Sequence, residues 1–184
     1  PGRGQTLLKN ALVRDLTSAR EIKIISAYFV PTRPIRQALK RAARRGCRVQ
    51  IILAGKSDVP LSQLAARCFY QQFLRAGIEI YEYQPQILHA KMLLLDEVVY
   101  AGSANLDRRS FYINYEVMLR LVDPQLAAEG RAMFLKDLTH CRQIERKTWR
   151  TSRNFWGKLM ERWALFLLAR VDPFIARRQL KHLR

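Results

Sequence analysis

The chain has 184 residues, 49% hydrophobic and 26% charged, enough for one domain with its own core and wrong for a disordered polymer. Thirty-three Lys and Arg against fifteen Asp and Glu leave a formal charge of +18. Such a surface attracts polyanions, and composition does not separate nucleic acid from an anionic lipid surface. Cys47, Cys68 and Cys141 are odd in number and lack CxxC spacing, so no disulfide framework or zinc site is expected, and they read as small reduced hydrophobes. The sequence opens on Pro1 rather than Met, which suggests a portion of a longer protein.

In chain order, residues 5–20 predict an amphipathic helix, with Leu7, Leu8, Ala11, Leu12 and Leu16 at three- and four-residue spacing. Residues 21–29 form a β-rich run that ends at Pro31. Residues 34–45 predict a second helix with Ile35, Ala38, Leu39 and Ala42 on its apolar face, stopped by Gly46. Residues 48–54 predict a buried strand, residues 61–76 a helix closed by Gly77, and residues 78–83 a short strand. Residues 88–96 and 98–101 suggest a hairpin bent at Asp96-Glu97. Residues 115–122 suggest another strand, and residues 124–141 a helix with Pro124 in its first turn. This order predicts an α/β fold: a mixed, largely parallel sheet flanked by helices on both faces, followed by a basic amphipathic helical tail. The expected division is a catalytic body over residues 1–142 and a tail over 143–184. Half of the net charge lies in the tail, where twelve Lys and Arg face three acids from Arg142 onward.

The run from His89 to Asn105, HAKMLLLDEVVYAGSAN, carries the chemistry. On a strand His89 and Lys91 share a face with Leu93 and Leu95, while Met92, Leu94 and Asp96 face away. An imidazole and an ammonium together on one face are costly to desolvate and need a reason. A phosphoryl group supplies one: the imidazole attacks phosphorus or protonates a leaving oxygen, and the ammonium offsets charge on the non-bridging oxygens. Gly102-Ser103 lets the backbone approach a phosphate closely, and Asn105 offers donors to it.

His89, Lys91, Asp96, Gly102, Ser103 and Asn105 together resemble the hallmark of the phospholipase D superfamily. Six such residues match by chance on the order of 10⁻⁸ per start position at average usage. The resemblance implies that His89 is one of two active-site histidines, either the nucleophile that forms a phosphohistidine or the general acid and base. It implies that Lys91, Ser103 and Asn105 hold the phosphate, that Asp96 belongs to the motif as a structural anchor, and that Glu116 orients the histidine. No metal or other cofactor is implied. The continuation Asn105-Leu106-Asp107-Arg108-Arg109-Ser110 is similar to the bacterial cardiolipin synthases, and Tyr28-Phe29-Val30-Pro31 resembles their active-site wall. Tyr28 and Arg109 are therefore candidate substrate-binding residues. This branch implies anionic phospholipid (phosphatidylglycerol) and a membrane surface as partners, peripheral to the cytosolic side of a bacterial inner membrane. The superfamily uses two facing motifs and this chain has one, so a second half is expected, in the same longer chain or as a homodimer mate.

In the tail, Phe155, Trp156, Leu159, Met160, Trp163, Phe166 and Leu167 recur at helical spacing, but the continuous apolar run is far short of the roughly twenty residues that span a bilayer. A helix lying in an anionic interface fits, as does one packed on its own domain. The tail looks more like the cardiolipin synthase B subgroup. The leading function is transfer of a phosphatidyl group to a phospholipid hydroxyl, with two phosphatidylglycerols giving cardiolipin and glycerol. The alternatives are a phospholipase-D-like nuclease acting on DNA, with nucleic acid the less favoured partner, and a non-catalytic membrane-docking module.

Overall fold

A computed structural model describes residues 3–168 of the chain. The elements, in order, are α1 (Arg3–Ser18), β1 (Glu21–Ser26), α2 (Arg33–Arg44), β2 (Arg48–Ala54), α3 (Pro60–Arg75), β3 (Glu79–Tyr83), β4 (Lys91–Leu95), β5 (Val98–Gly102), α4 (Arg108–Tyr112), β6 (Met118–Val122), α5 (Pro124–Leu138), β7 (Cys141–Gln143), α6 (Arg146–Thr151) and α7 (Phe155–Phe166). The strands form one sheet in the order β6-β5-β4-β1-β2-β3-β7.

The fold is α/β with a mixed sheet, as expected, but its parallel part is confined to β1-β2-β3. The pairs β1-β4, β4-β5, β5-β6 and β3-β7 are antiparallel. The reason lies in the connections. Helices α2 and α3 are crossovers that return the chain parallel, whereas β4, β5 and β6 follow one another without a crossover helix between β4 and β5. Strand β4 lands beside β1 rather than β3, and its direction reverses.

Strand parity sorts the core into two layers. Ile22, Ile24, Val49, Ile51, Ile80, Leu93 and Leu95 pack with Leu12 and Leu16 of α1, Ile35 and Leu39 of α2, and Phe69 and Phe73 of α3. On the opposite face Ile25, Ile52, Tyr81, Met92, Leu94 and Val99 meet Ala127 and Phe134 of α5. Each fully buried Ile or Leu contributes roughly 1.5–3 kcal/mol relative to exposure. The helix boundaries follow their sequence signals. Asp123 caps α5 by accepting from the Leu126 N–H, and α2 ends where Gly46 takes φ +94°.

Two features mark the C-terminal quarter, the first not expected and the second one of the two alternatives foreseen for the tail. Cys141–Gln143 leaves the predicted helix to form β7 on the edge of β3, so the division at 142/143 falls inside a strand. Arg142 then reaches Glu82, a 1%-exposed carboxylate that also accepts from Arg67 and Tyr70. Helix α7 packs on α3 and buries Ala164 and Glu161, the latter paired with Arg153. The tail expectation extends to residue 184, and its part from 169 onward lies outside the described residues.

At the other end Asp15, on α1, accepts from the Tyr100 hydroxyl at 2.6 Å and from Arg120 Nε at 2.7 Å, tying α1 to β5 and β6. Desolvation alone would raise the Asp15 pKa, but the bonds from Arg120 and Tyr100 outweigh it and hold the carboxyl below its ordinary value. A depressed carboxyl stabilises the fold above its unfolded pKa of about 4, and that contribution is lost as pH falls through the folded value. Asp15→Ala is expected to cost about 2 kcal/mol in urea denaturation at neutral pH, and the gap to the parent should narrow in acid. An equal gap at both pH values would show that the ion pair is not its source.

Candidate active site

Four segments build the site. The chain leaving β1 runs beside the loop after β5: Phe29 bridges Leu106, and the Val30 N–H donates to the Leu106 carbonyl at 2.9 Å. The Tyr28 N–H donates to Asn105 Oδ1 at 3.3 Å. The buried Asn105 amide is thereby fixed with Oδ1 occupied, which leaves Nδ2 as its donor end. The Tyr28 ring meets the His89 imidazole edge-on, 6.3 Å between centroids at 81°. Tyr28 is therefore the residue that brings His89 and Asn105 together.

His89 lies in the connection before β4 rather than on the strand itself, and it is exposed. Lys91 is the first residue of β4, paired with Ser26 of β1, and its Nζ donates to the His89 carbonyl at 2.9 Å. Desolvation lowers the Lys91 pKa, while the charges of Glu116, Asp58 and Asp107 act to raise it. Beyond Lys91 the expected parity holds, since Leu93 and Leu95 enter one core layer and Met92 and Leu94 the other.

Asp96 sits at the far end of β4, about 16 Å along the strand from Lys91 at ordinary strand rise. It occupies the turn between β4 and β5 with φ +54°. Its carboxylate accepts the Arg20 N–H at 3.1 Å and the Glu21 N–H at 2.9 Å. It fastens the hairpin to the start of β1 and does not reach the site.

Glu116 precedes β6 and is gripped by the loops around it. It accepts from the Ser103 hydroxyl, from Ser110 Oγ at 3.1 Å and from Asn114 Nδ2 at 3.1 Å. Among the described residues no hydrogen bond joins it to His89; its carboxylate instead ties these loops together. Its charge still reaches Lys91. The Ser103 hydroxyl also accepts the Val117 N–H at 3.0 Å, so it braces the loop as well as Glu116. Gly102 is required by the same loop: a Cβ there would come 2.1 Å from the Val117 carbonyl oxygen. The close approach foreseen at this glycine is thus with the chain's own backbone.

Sequence reasoning missed two participants. Ser110 accepts the Asn105 N–H at 3.0 Å, and its own N–H is capped by Asp107 at 2.8 Å. The signal was present, since Asp107 three residues before Ser110 is a helix-capping pattern. Asp58, in the loop after β2, accepts the Tyr28 hydroxyl at 2.9 Å on both oxygens. Desolvation and Asp58 push the Tyr28 pKa up to about 12, so the hydroxyl stays protonated through the neutral range. No sequence motif marks Asp58.

Beside these groups opens a cleft of about 340 Å³, lined among others by Tyr28, Val30, Asn105, Arg109 and Leu168. It offers a cation and an apolar wall next to the Asn105 amide. Arg109 lies on α4, which Asp107 begins. The arrangement suits an anionic group carried on an apolar body.

Comparison with known proteins follows the same line. Residues 12–138 match the family described as "Cardiolipin synthase, PLD-like domain". Cardiolipin synthase A of Cronobacter sakazakii is 35% identical over 164 residues, 88% of this chain and 34% of the relative. The chain thus spans about a third of the length of that curated relative. The tail had suggested the B subgroup, whereas this relative bears the A name. NucT from Helicobacter pylori is 27% identical with a TM-score of 0.65, over 76% of this chain and 92% of NucT. The phospholipase D family member Nuc from Salmonella typhimurium, at 21% identity and TM-score 0.65, covers 74% of this chain and 90% of Nuc and shares the fold.

Ser110→Ala is expected to release Asn105 and Glu116 together and to destabilise the chain by about 1–3 kcal/mol, measured by chemical denaturation. An unchanged midpoint would mean that the loops hold their shape without this hydroxyl.

Proposed function

The chain belongs to the cardiolipin synthase family of phospholipase-D-like domains, and from that premise we propose that it is the half of a phosphatidyltransferase that contributes His89. The observation that supports this reading best is the convergence at Tyr28 of an exposed imidazole and a fixed amide, with the partly desolvated Lys91 ammonium bonded to the carbonyl of that same histidine. The His89 imidazole attacks the phosphorus of a phosphatidyl donor such as phosphatidylglycerol. The bond to the departing head-group oxygen breaks, and a histidine from a second half protonates it, releasing glycerol. The hydroxyl of a second phosphatidylglycerol then attacks the phosphohistidine, gives up its proton to that same second histidine, and leaves as part of cardiolipin.

Lys91 offsets the charge that builds on the non-bridging oxygens, and its desolvation makes that interaction stronger than it would be in water. Asn105 Nδ2 donates to the same oxygens, and Arg109 offers its guanidinium to the second phosphate. Glu116 acts through the loops it joins, keeping Asn105 in place, and its charge holds Lys91 protonated against desolvation. The second half comes from the same longer chain or from a second copy. On this reading the enzyme works at a membrane surface; among the described residues no helix is long and apolar enough to cross a membrane.

In a protein carrying both halves, His89→Ala is expected to lower conversion of phosphatidylglycerol to cardiolipin by roughly 10⁴-fold or more, with binding retained. The 184-residue chain alone, as a monomer, is expected to fold without turning over. Should the two-half protein make no cardiolipin but cleave DNA in metal-free buffer, with activity falling steeply as salt rises, the nuclease reading replaces this one. Should His89→Ala leave cardiolipin formation intact, His89 is not the catalytic group.

A further inference from the structure

We propose that α7 and the groove beside it form a docking surface for an anionic phospholipid bilayer, distinct from the catalytic cleft. The proposal rests on the lipid reading above only for the choice of occupant. Although α7 is seated on α3, it buries only Glu161 and Ala164. Its outward face exposes Phe155, Trp156, Leu159, Met160, Trp163 and Phe166, each between 46% and 72% accessible. Six large apolar side chains on one helical stripe, two of them tryptophans, far exceed the scattered exposure usual for a soluble surface.

The groove identifies the occupant. It holds about 450 Å³ between α3 and the α6–α7 segment, and its lining includes Arg75, Arg150, Lys158, Arg162, Phe155 and Leu159. Its one acid, Glu161, is buried and neutralised by Arg153. Four exposed cations therefore border an apolar stripe with no opposing exposed acid in the lining. A bilayer matches both parts: anionic head groups meet the cations while the aromatic and aliphatic side chains enter the acyl boundary. A nucleic acid would satisfy the cations and leave Leu159, Met160 and Phe166 in water. Beyond Phe166 the described chain reaches Leu168, which lines the catalytic cleft beside Tyr28 and Asn105. A helix lying in the head-group plane thus holds the cleft mouth at the depth of its substrate.

Co-sedimentation of the 184-residue chain with vesicles of phosphatidylglycerol and phosphatidylcholine, against phosphatidylcholine alone, tests this directly. Binding is expected to the anionic vesicles, to weaken with salt, and to blue-shift the emission of Trp156 and Trp163; Trp149 stays packed on Tyr70. Trp156→Ser with Trp163→Ser, and separately Lys158→Glu with Arg162→Glu, alter only exposed side chains. Each pair is expected to lower vesicle affinity roughly tenfold or more without changing the circular dichroism spectrum. Vesicle binding unaffected by both pairs would overturn the proposal. So would light scattering that shows a dimer dissolved by the tryptophan pair, or a DNA complex lost with the charge pair while vesicles remain unbound. Because binding requires no turnover, a parent chain that fails to bind the anionic vesicles, while the two-half protein still carries out transfer in detergent-dispersed lipid, would sink this surface and spare the catalytic reading.

Discussion

At the turn between β4 and β5 the Asp96 carboxylate accepts backbone N–H bonds from Arg20 and Glu21, the residues that open β1. The Asp96 N–H returns a bond to the Glu21 carbonyl, and Arg131 of α5 donates to the Asp96 carbonyl. A one-residue slip between β1 and β4 would send every β4 side chain to the other face, exchanging Leu93 for Met92 in the core. The clamp at one end of the pair therefore decides the other end, where Lys91 lies opposite Ser26 and His89 meets Tyr28. A residue at the far end of the strand thus fixes where the candidate groups stand.

Around the reacting end, polar groups are matched by internal partners before any ligand arrives. Glu116 joins Ser103, Ser110 and Asn114, and Ser110 passes that order to Asn105. Three carboxylates, those of Glu116, Asp58 and Asp107, act on Lys91. In a chain of net charge +18 this local concentration of acids is unusual. It acts to keep a partly desolvated ammonium charged, while half of the net basic charge lies in the C-terminal quarter.

Much of this was legible in the sequence. Helix and strand periodicities placed most elements to within a few residues, and the spacing of His89, Lys91, Gly102, Ser103 and Asn105 singled out the candidate residues before any geometry was known. What escaped depended on partners distant in the chain. Whether β4 joins β3 or β1 is not written in β4, whose apolar run suits either neighbour, so the sheet looked more parallel than it is. Strand β7 is three residues long and is defined by pairing with β3, while the apolar period of α5 runs on into it. Glu116 was expected to orient His89, whereas its hydrogen-bond partners are Ser103, Ser110 and Asn114; the two serines reach it through different loops, which no local pattern announces. Asp58 carries no local pattern at all and meets Tyr28 only because β1 and β2 are adjacent and parallel.

Strand β6 closes one end of the sheet, with its outer backbone edge toward solvent and Val117, Leu119, Leu121 and Val122 at least 40% exposed. An accessible apolar edge is a template for pairing with foreign strands. Arg120 stands in the middle of this strand, already committed to Asp15, and two copies pairing antiparallel about it would set like charges opposite one another. Long-range repulsion among highly cationic molecules adds to that obstacle and fades as the Debye length shrinks. Colloidal behaviour is thus inverted relative to the attraction a chain of this charge has for polyanions: the salt that weakens the one is the salt that lets its own copies approach.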